Sequence, residues 1–358
     1  MKITDVKTYN VLDRSLFVKI DTDEGIWGFG ECSPMAIRAT AEMIHAAKSM
    51  LIGRDPFAID AIWFDLFSGL YKSGNGGQPA YVISGIDIAL YDLKGKALGV
   101  PAFELLGGIF RKDVELVAAL WRLDETIERE VERVQEAVAS GYRSVKLHMD
   151  KRWGFDAEPD RTIALMTSVR RAVGDDIRLL ADMNNAYTFK TALRVGQAFA
   201  ELGVVHFEEP LAAYNYDDLR ELSTRLDIPV ASGEQEYSRW QFDHLIRHGN
   251  PDIIMPDVIK TYGFSESRRI GDLALMHSKP VVCHNAYPTI NTVAHLHYWA
   301  STKMCFLPQE YVVDPHPLRD EFPLFPNLPV PVDGRLSVPS GPGLGQDVDL
   351  QLLDKLAR

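Results

Sequence analysis

Apolar and polar positions alternate from the first residues of the chain. "ITDVKTYNVL", "SLFVKIDTDE" and "GIWGFGEC" read as three strands, with "TDEG" as a turn signal between the last two. The apolar spacing then lengthens to that of helices in "ATAEMIHAAKSMLIG", "IDAIWFDLFSGLY" and "SGIDIALYDLKGKALG". Strands followed by helices, without alternation, predict an α+β unit over residues 1–113.

From Val114 the pattern changes to short apolar runs separated by amphipathic stretches. "ELVAAL", "SVKLHM", "IRLLADM", "VVHFEE", "IPVASGE", "DIIMPDV", "PVVCHNA" and "MCFLPQE" read as eight strands, with seven helical segments between them. That order predicts an α/β architecture, a modified TIM barrel of (β/α)7β form, over residues 114–322. The tail, residues 323–358, is rich in Pro and Gly and too irregular for an eighth barrel helix. Its interleaved Leu and Val predict a segment that returns to the N-terminal unit as part of a capping domain.

Composition narrows the function. The net charge is −12, and no Lys/Arg run offsets it, so the phosphate electrostatics of nucleic-acid binding are absent. No apolar run is long enough to span a bilayer, and the N-terminus lacks a signal-peptide pattern. The three cysteines, Cys32, Cys283 and Cys305, form no C-x-x-C and are expected as reduced thiols in a cytoplasmic protein. The glycines of "GFGEC" lie in a strand pattern and are no dinucleotide fingerprint. "KSGNGGQ" at residues 72–78 is not a phosphate loop either, and is expected as a lid from the N-terminal unit.

The chemistry falls where predicted strands end, which is where barrels of this type carry it. Asp182, Glu208, Glu234, Asp257, His284 and Glu310 follow one another at 26, 26, 23, 27 and 26 positions. That period is one helix, one strand and two short loops, so these residues form a ring at one height. Alternation puts Lys146 and His148 on one face, and Asp182 with Asn184. Any single carboxylate here would serve equally well as a helix cap, but three in register on successive strands point elsewhere. Asp182, Glu208 and Glu234 would repel one another unless a divalent cation sat among them. All-oxygen ligation favours Mg²⁺, with Mn²⁺ second. Glu208 and Glu209 face opposite ways, and alternation alone does not say which enters the ring.

With these residues in place, the chain resembles the enolase superfamily, in particular the mandelate racemase-like group with its acid-sugar dehydratases. "VKLHMD", "LLADMNNAY", "HFEEPL", "ASGEQEY", "MPDVIKTYG", "VCHNAY" and "FLPQEY" match that group's strand ends in order. The resemblance implies that Glu208, the first Glu of the E-E-P, binds metal beside Asp182 and Glu234. It implies proton abstraction α to a carboxylate through an enediolate, with His284 as base, Asp257 as its partner and Lys146 as a cation near the substrate carboxylate. Glu310 would meet an enediolate oxygen if it carried or shared a proton. Asn184 would contact substrate, and His148 would either act as an acid or base or orient Lys146. The implied reaction is dehydration of an aldonate or aldarate. The short link "VLDRSL" resembles galactonate-type enzymes. Asn184 stands where those carry a His acid, and "TYG" replaces their usual Gly-Gly turn. A racemase, epimerase or lactone cycloisomerase is the alternative, and a non-catalytic barrel binding a metal and an acid is the third. Relatives of this kind are often dimers or octamers, so a homo-oligomer is expected.

Overall fold

The computed structural model describes residues 1–121, 126–149 and 155–358. Asp150, the last residue of "VKLHMD", lies outside them. The chain opens with an antiparallel meander of β1 (Ile3–Val11), β2 (Ser15–Thr22) and β3 (Trp27–Cys32). Residues 12–14 close the first hairpin, with Leu12 and Asp13 at positive φ. Three helices follow: α1 (Ile37–Ala47), α2 (Ile59–Leu70) and α3 (Gln78–Leu98), and then the single turn α4 (Ala102–Leu105).

α3 starts six residues before the span that helical spacing predicted. Its buried residues run from Pro79 to Gly95 with one break, because it lies between the meander and the barrel. A helix covered on all sides needs no polar stripe, so its first turns, "QPAYVI", carry no amphipathic signal. Gly28 and Gly30 explain how close the packing is. A Cβ at either would strike the carbonyl of Ala89 or Gly85 on α3. These glycines let a helix lie directly on a strand.

The barrel strands are β4 (Asp113–Leu120), β5 (Ser144–His148), β6 (Arg178–Asp182), β7 (Val204–Glu208), β8 (Val230–Ser232), β9 (Ile253–Ile254) and β10 (Gln309–Val312). They pair in parallel in chain order, and β10 closes onto β4. The predicted strand "PVVCHNA" is reduced to one bridge, Ile254 with Val281. It still fills its place. Val282 donates its N–H to the Ile254 carbonyl on one side, and Val281 donates to Met304 on the other. The helices between are α5 (Ile127–Ala139), α6 (Thr162–Val173), α7 (Phe189–Glu201), α8 (Tyr216–Arg225), α9 (Arg239–His244), α10 (Gly263–Met276) and α11 (Ile290–Ser301).

After the turn α12 (Pro317–Asp320), the C-terminal segment pairs with both units. β11 (Arg335–Ser337) runs antiparallel to β4. Leu344 then donates its N–H to Asp92 of α3, and Ala357, just past α13 (Leu350–Leu356), bridges Val11 of β1. The tail therefore ties the first barrel strand to the N-terminal unit.

Two buried carboxylates dock that unit on the barrel. Glu31 of β3 accepts from the Thr289 hydroxyl (2.6 Å) and the Asn291 N–H (2.9 Å) at the start of α11. Asp87 of α3 accepts from the Ser265 hydroxyl (2.6 Å) and N–H (3.0 Å) at the start of α10. Each carboxylate meets the unpaired N–H groups of a helix N-terminus, where negative charge is favoured. Burial nonetheless pushes both carboxyls up to about 7.

Candidate active site

β5, β6 and β7 place His148, Asp182 and Glu208 side by side as register partners. Glu234 follows two residues after β8. Asp182, Glu208 and Glu234 offer oxygens that all lie within 4.8 Å of one another, and all three residues are buried. Burial and Asp182 push the Glu208 carboxyl well above its ordinary range. Burial works against charge on Asp182 too, yet His148 and Lys146 hold its carboxyl very low. Without a cation the cluster therefore needs relief of charge at Glu208. A hard divalent cation fits the all-oxygen set and would remove that need.

Glu209 turns away. Its backbone is left-handed (φ 38°), and its Oε2 accepts from Asn185 Nδ2 at 2.6 Å. Alternation and a tight turn thus send one Glu of the pair into the cluster and the other behind it.

Lys146 lies 2.9 Å from both Glu208 oxygens, 2.9 Å from Glu310 and 3.7 Å from Asp182. Burial disfavours its charge, but Glu208, Glu310 and Asp182 hold the ammonium well above its ordinary pKa. Burial opposes ionisation of Glu310 as well. Lys146 and His284 outweigh it and lower the Glu310 carboxyl. Glu310 also accepts from the Asn285 N–H at 3.1 Å. It stands here as an ionised acceptor, the form that does not itself donate a hydrogen bond. His148 Nδ1 lies 3.1 Å from the Leu120 carbonyl, which only accepts, so Nδ1 carries a proton. Its Nε2 lies 3.0 Å from Asp182. Asn184, at φ 44°, donates its N–H (2.8 Å) and Nδ2 (3.1 Å) to Asp182.

On the far wall, His284 Nδ1 donates to Asp257 Oδ2 at 2.7 Å, which leaves Nε2 facing Glu234 at 3.3 Å. Burial would lower the imidazole's pKa, but Glu234 and the bond to Asp257 raise it. Asp257 is itself fixed. The Ile259 N–H donates to its Oδ1 (3.0 Å), and the adjacent Val258 N–H donates to His295 Nε2 (3.1 Å). Cys283 is buried beside Cys305 and Trp299, turned toward the helices as alternation requires.

Part of this set lines a cavity of about 940 Å³. Barrel residues His148, Asn184, Glu234, Asp257 and His284 share it with Ser33, Met35 and Tyr81 of the N-terminal unit. The stretch expected as a lid brings Gly76 against the Tyr237 ring, where a Cβ would collide.

Sequence reasoning missed three residues. His206 Nε2 lies 3.2 Å from Glu208 Oε2, and burial with nearby Lys146 pushes its pKa down to about 3. Its position two before Glu208 on one strand face was a usable signal. Lys260 lines the cavity from a turn, where no periodicity marks it. His295 is fully buried and braces the Asp257 turn through the Val258 N–H.

Comparison with known proteins agrees with this geometry. Residues 129–352 match the family described as Enolase C-terminal domain-like, and residues 5–107 match the Mandelate racemase / muconate lactonizing enzyme, N-terminal domain. The chain belongs to the enolase superfamily. D-galactarolactone cycloisomerase of Agrobacterium fabrum is 32% identical, over 99% of this chain and 98% of that one. Arabinonate dehydratase of Saccharolobus solfataricus is 31% identical, over 92% of this chain and 87% of that one. A mandelate racemase/muconate lactonizing protein from Paracoccus denitrificans, solved in complex with magnesium, superposes with a TM-score of 0.92. It is 30% identical and covers 100% of this chain and 98% of its own. Barrel plus N-terminal capping unit is thus the superfamily architecture. No helix among the described residues is long and apolar enough to cross a membrane.

Proposed function

We propose that this enolase-superfamily member is a Mg²⁺-dependent hydro-lyase that dehydrates a sugar acid to a 2-keto-3-deoxy acid. The observation that carries the reading is the Asp257–His284 pair, whose Nε2 faces Glu234 of the carboxylate cluster at 3.3 Å on the cavity wall. Asp182, Glu208 and Glu234 would hold the ion. Bound there, Mg²⁺ would supply Lewis-acid stabilisation of negative charge developing on the substrate's carboxylate.

The chain's own groups divide the remaining work. Asp257 fixes the His284 tautomer with the proton on Nδ1, so Nε2 is the basic atom. Nε2 takes the α-proton. Lys146, held between Glu208 and Glu310, puts a fixed positive charge beside the substrate carboxylate. The β-carbon–oxygen bond then breaks, and the hydroxyl leaves as water with a proton returned by protonated His284 or by His148. The resulting enol tautomerises to the keto acid, so atoms and charge balance. Asn184 aligns Asp182 and contributes its amide to the cavity rather than an acid proton.

A lactone cycloisomerase is the second reading. Asn184 offers no titratable proton, and the cycloisomerase relative spans nearly all of both chains. The first step is the same, with a ring oxygen expelled instead of water.

The test is a panel of aldonates and aldarates with Mg²⁺, read as 2-keto acid by semicarbazide absorbance. Turnover abolished in His284→Ala supports the dehydratase. No keto acid, but deuterium entering the α-position in D₂O, shifts the reading to isomerase chemistry. Binding without either sinks both.

A further inference from the structure

Lys260 sits three residues after Asp257, in the turn leading into α10, with its N–H bonded to the Asp257 carbonyl at 2.8 Å. Only 9% of it is exposed, and it lines the cavity. Among the described residues its ammonium makes no hydrogen bond and no ion pair. The surrounding carboxylates are nearby but engaged elsewhere. Asp257 is held by His284, Glu234 by Gln235, and Glu209 by Asn185. Glu234, Asp257 and Glu209 outweigh burial and keep this ammonium charged from a distance, and an anion in the gap would add the direct contact it lacks.

Its position says which part of a ligand it meets. Counted from β4, β5 is the second barrel strand and β9 the sixth of eight positions. Lys146 and Lys260 therefore stand on opposite walls. Lys146 is saturated by Glu208 and Glu310 beside the proposed metal site. A substrate whose reacting carboxylate lies there would present its other end to Lys260. A sugar hydroxyl offers this ammonium only a neutral acceptor, whereas a carboxylate gives it a charge-assisted hydrogen bond. The cavity of about 940 Å³, lined by His148 and Asn184 beside Lys146 and by Lys260 opposite, has room for a six-carbon chain.

We propose that Lys260 anchors a second carboxylate, so that the acid taken at this site is a dicarboxylate rather than a monoacid. This rests on the sugar-acid reading above and narrows it. The test uses matched pairs that differ only at the far carbon, galactarate with galactonate and glucarate with gluconate. Each is titrated calorimetrically into the Mg²⁺-loaded wild type, Lys260→Gln and Lys260→Arg. In the pair of matching stereochemistry the diacid should bind about tenfold or more tightly than the monoacid. That ratio should vanish in Lys260→Gln and persist in Lys260→Arg, which keeps the charge. Equal or weaker diacid binding to the wild type overturns the proposal, and that comparison needs no variant to fold. A ratio that survives in Lys260→Gln overturns it too, because Lys260 is then only a counterion for Glu234. Binding of neither class also overturns it. A protein that turns over monoacids without the diacid advantage keeps the α-proton chemistry and loses the anchor. One that shows the advantage but exchanges no α-proton keeps the anchor and loses the chemistry.

Discussion

Lys146 shows how much one buried charge organises. It touches Glu208 and Glu310 in a site closed to solvent, so removing it strands two carboxylates. Lys146→Met is expected to destabilise the metal-free protein by about 3–5 kcal/mol in denaturant unfolding. A loss near zero would mean that the carboxylates re-protonate without cost. At the dyad, His284→Ala should lower turnover by about 10²–10⁴-fold while the protein stays folded. The strand-end residues Asp182, Glu208, Asp257, His284 and Glu310 were legible because one βα repeat sets their spacing. Lys260 was not, since a turn residue carries no period. Nor was the ionised state of Glu310, which depends on Lys146 arriving from a strand far away in sequence.

The elements carry the site by register. β6 and β7 bring Asp182 level with Glu208, and the turn after β8 adds Glu234. If these three hold Mg²⁺, adding the ion should raise the melting temperature by linkage, and Asp182→Asn should abolish that rise without any substrate present. An unchanged rise would place the ion elsewhere. The β3–α3 contact is the second element-scale feature. Gly30→Ala puts a Cβ into the Gly85 carbonyl and should cost about 1–3 kcal/mol by denaturant titration. Strand and helix types were readable from periodicity, but the start of α3 was not, because full burial erases its polar stripe. The strand at Val281 was readable as an apolar run, yet the closing barrel leaves it a single bridge.

For the whole molecule, the capping unit completes the cavity and grips the two helices that follow the dyad. Glu31 and Asp87 do this from buried positions with carboxyls pushed up to about 7. A carboxyl raised on folding contributes stability that is full below its unfolded pKa and is lost as pH climbs through the folded value. For Glu31 that window runs from 4.5 to about 7. Glu31→Gln removes its share. The unfolding free energy of the variant relative to wild type should therefore shift in the variant's favour from pH 5 to pH 8, by at most about 3 kcal/mol. A gap that does not move with pH would show that Glu31 is ionised throughout.

The order of elements, the barrel and the ring of polar strand ends were written in the sequence, because hydrophobic period and repeat length are local properties of a chain. Which Glu of "FEE" enters the cluster, which buried carboxyls are raised and which lowered, and where Lys260 stands were decided only in three dimensions. Those outcomes depend on distances between strands, on burial and on neighbours brought from remote positions. The same holds for the cavity, which exists only once Ser33, Met35 and Tyr81 of the capping unit close over the barrel mouth.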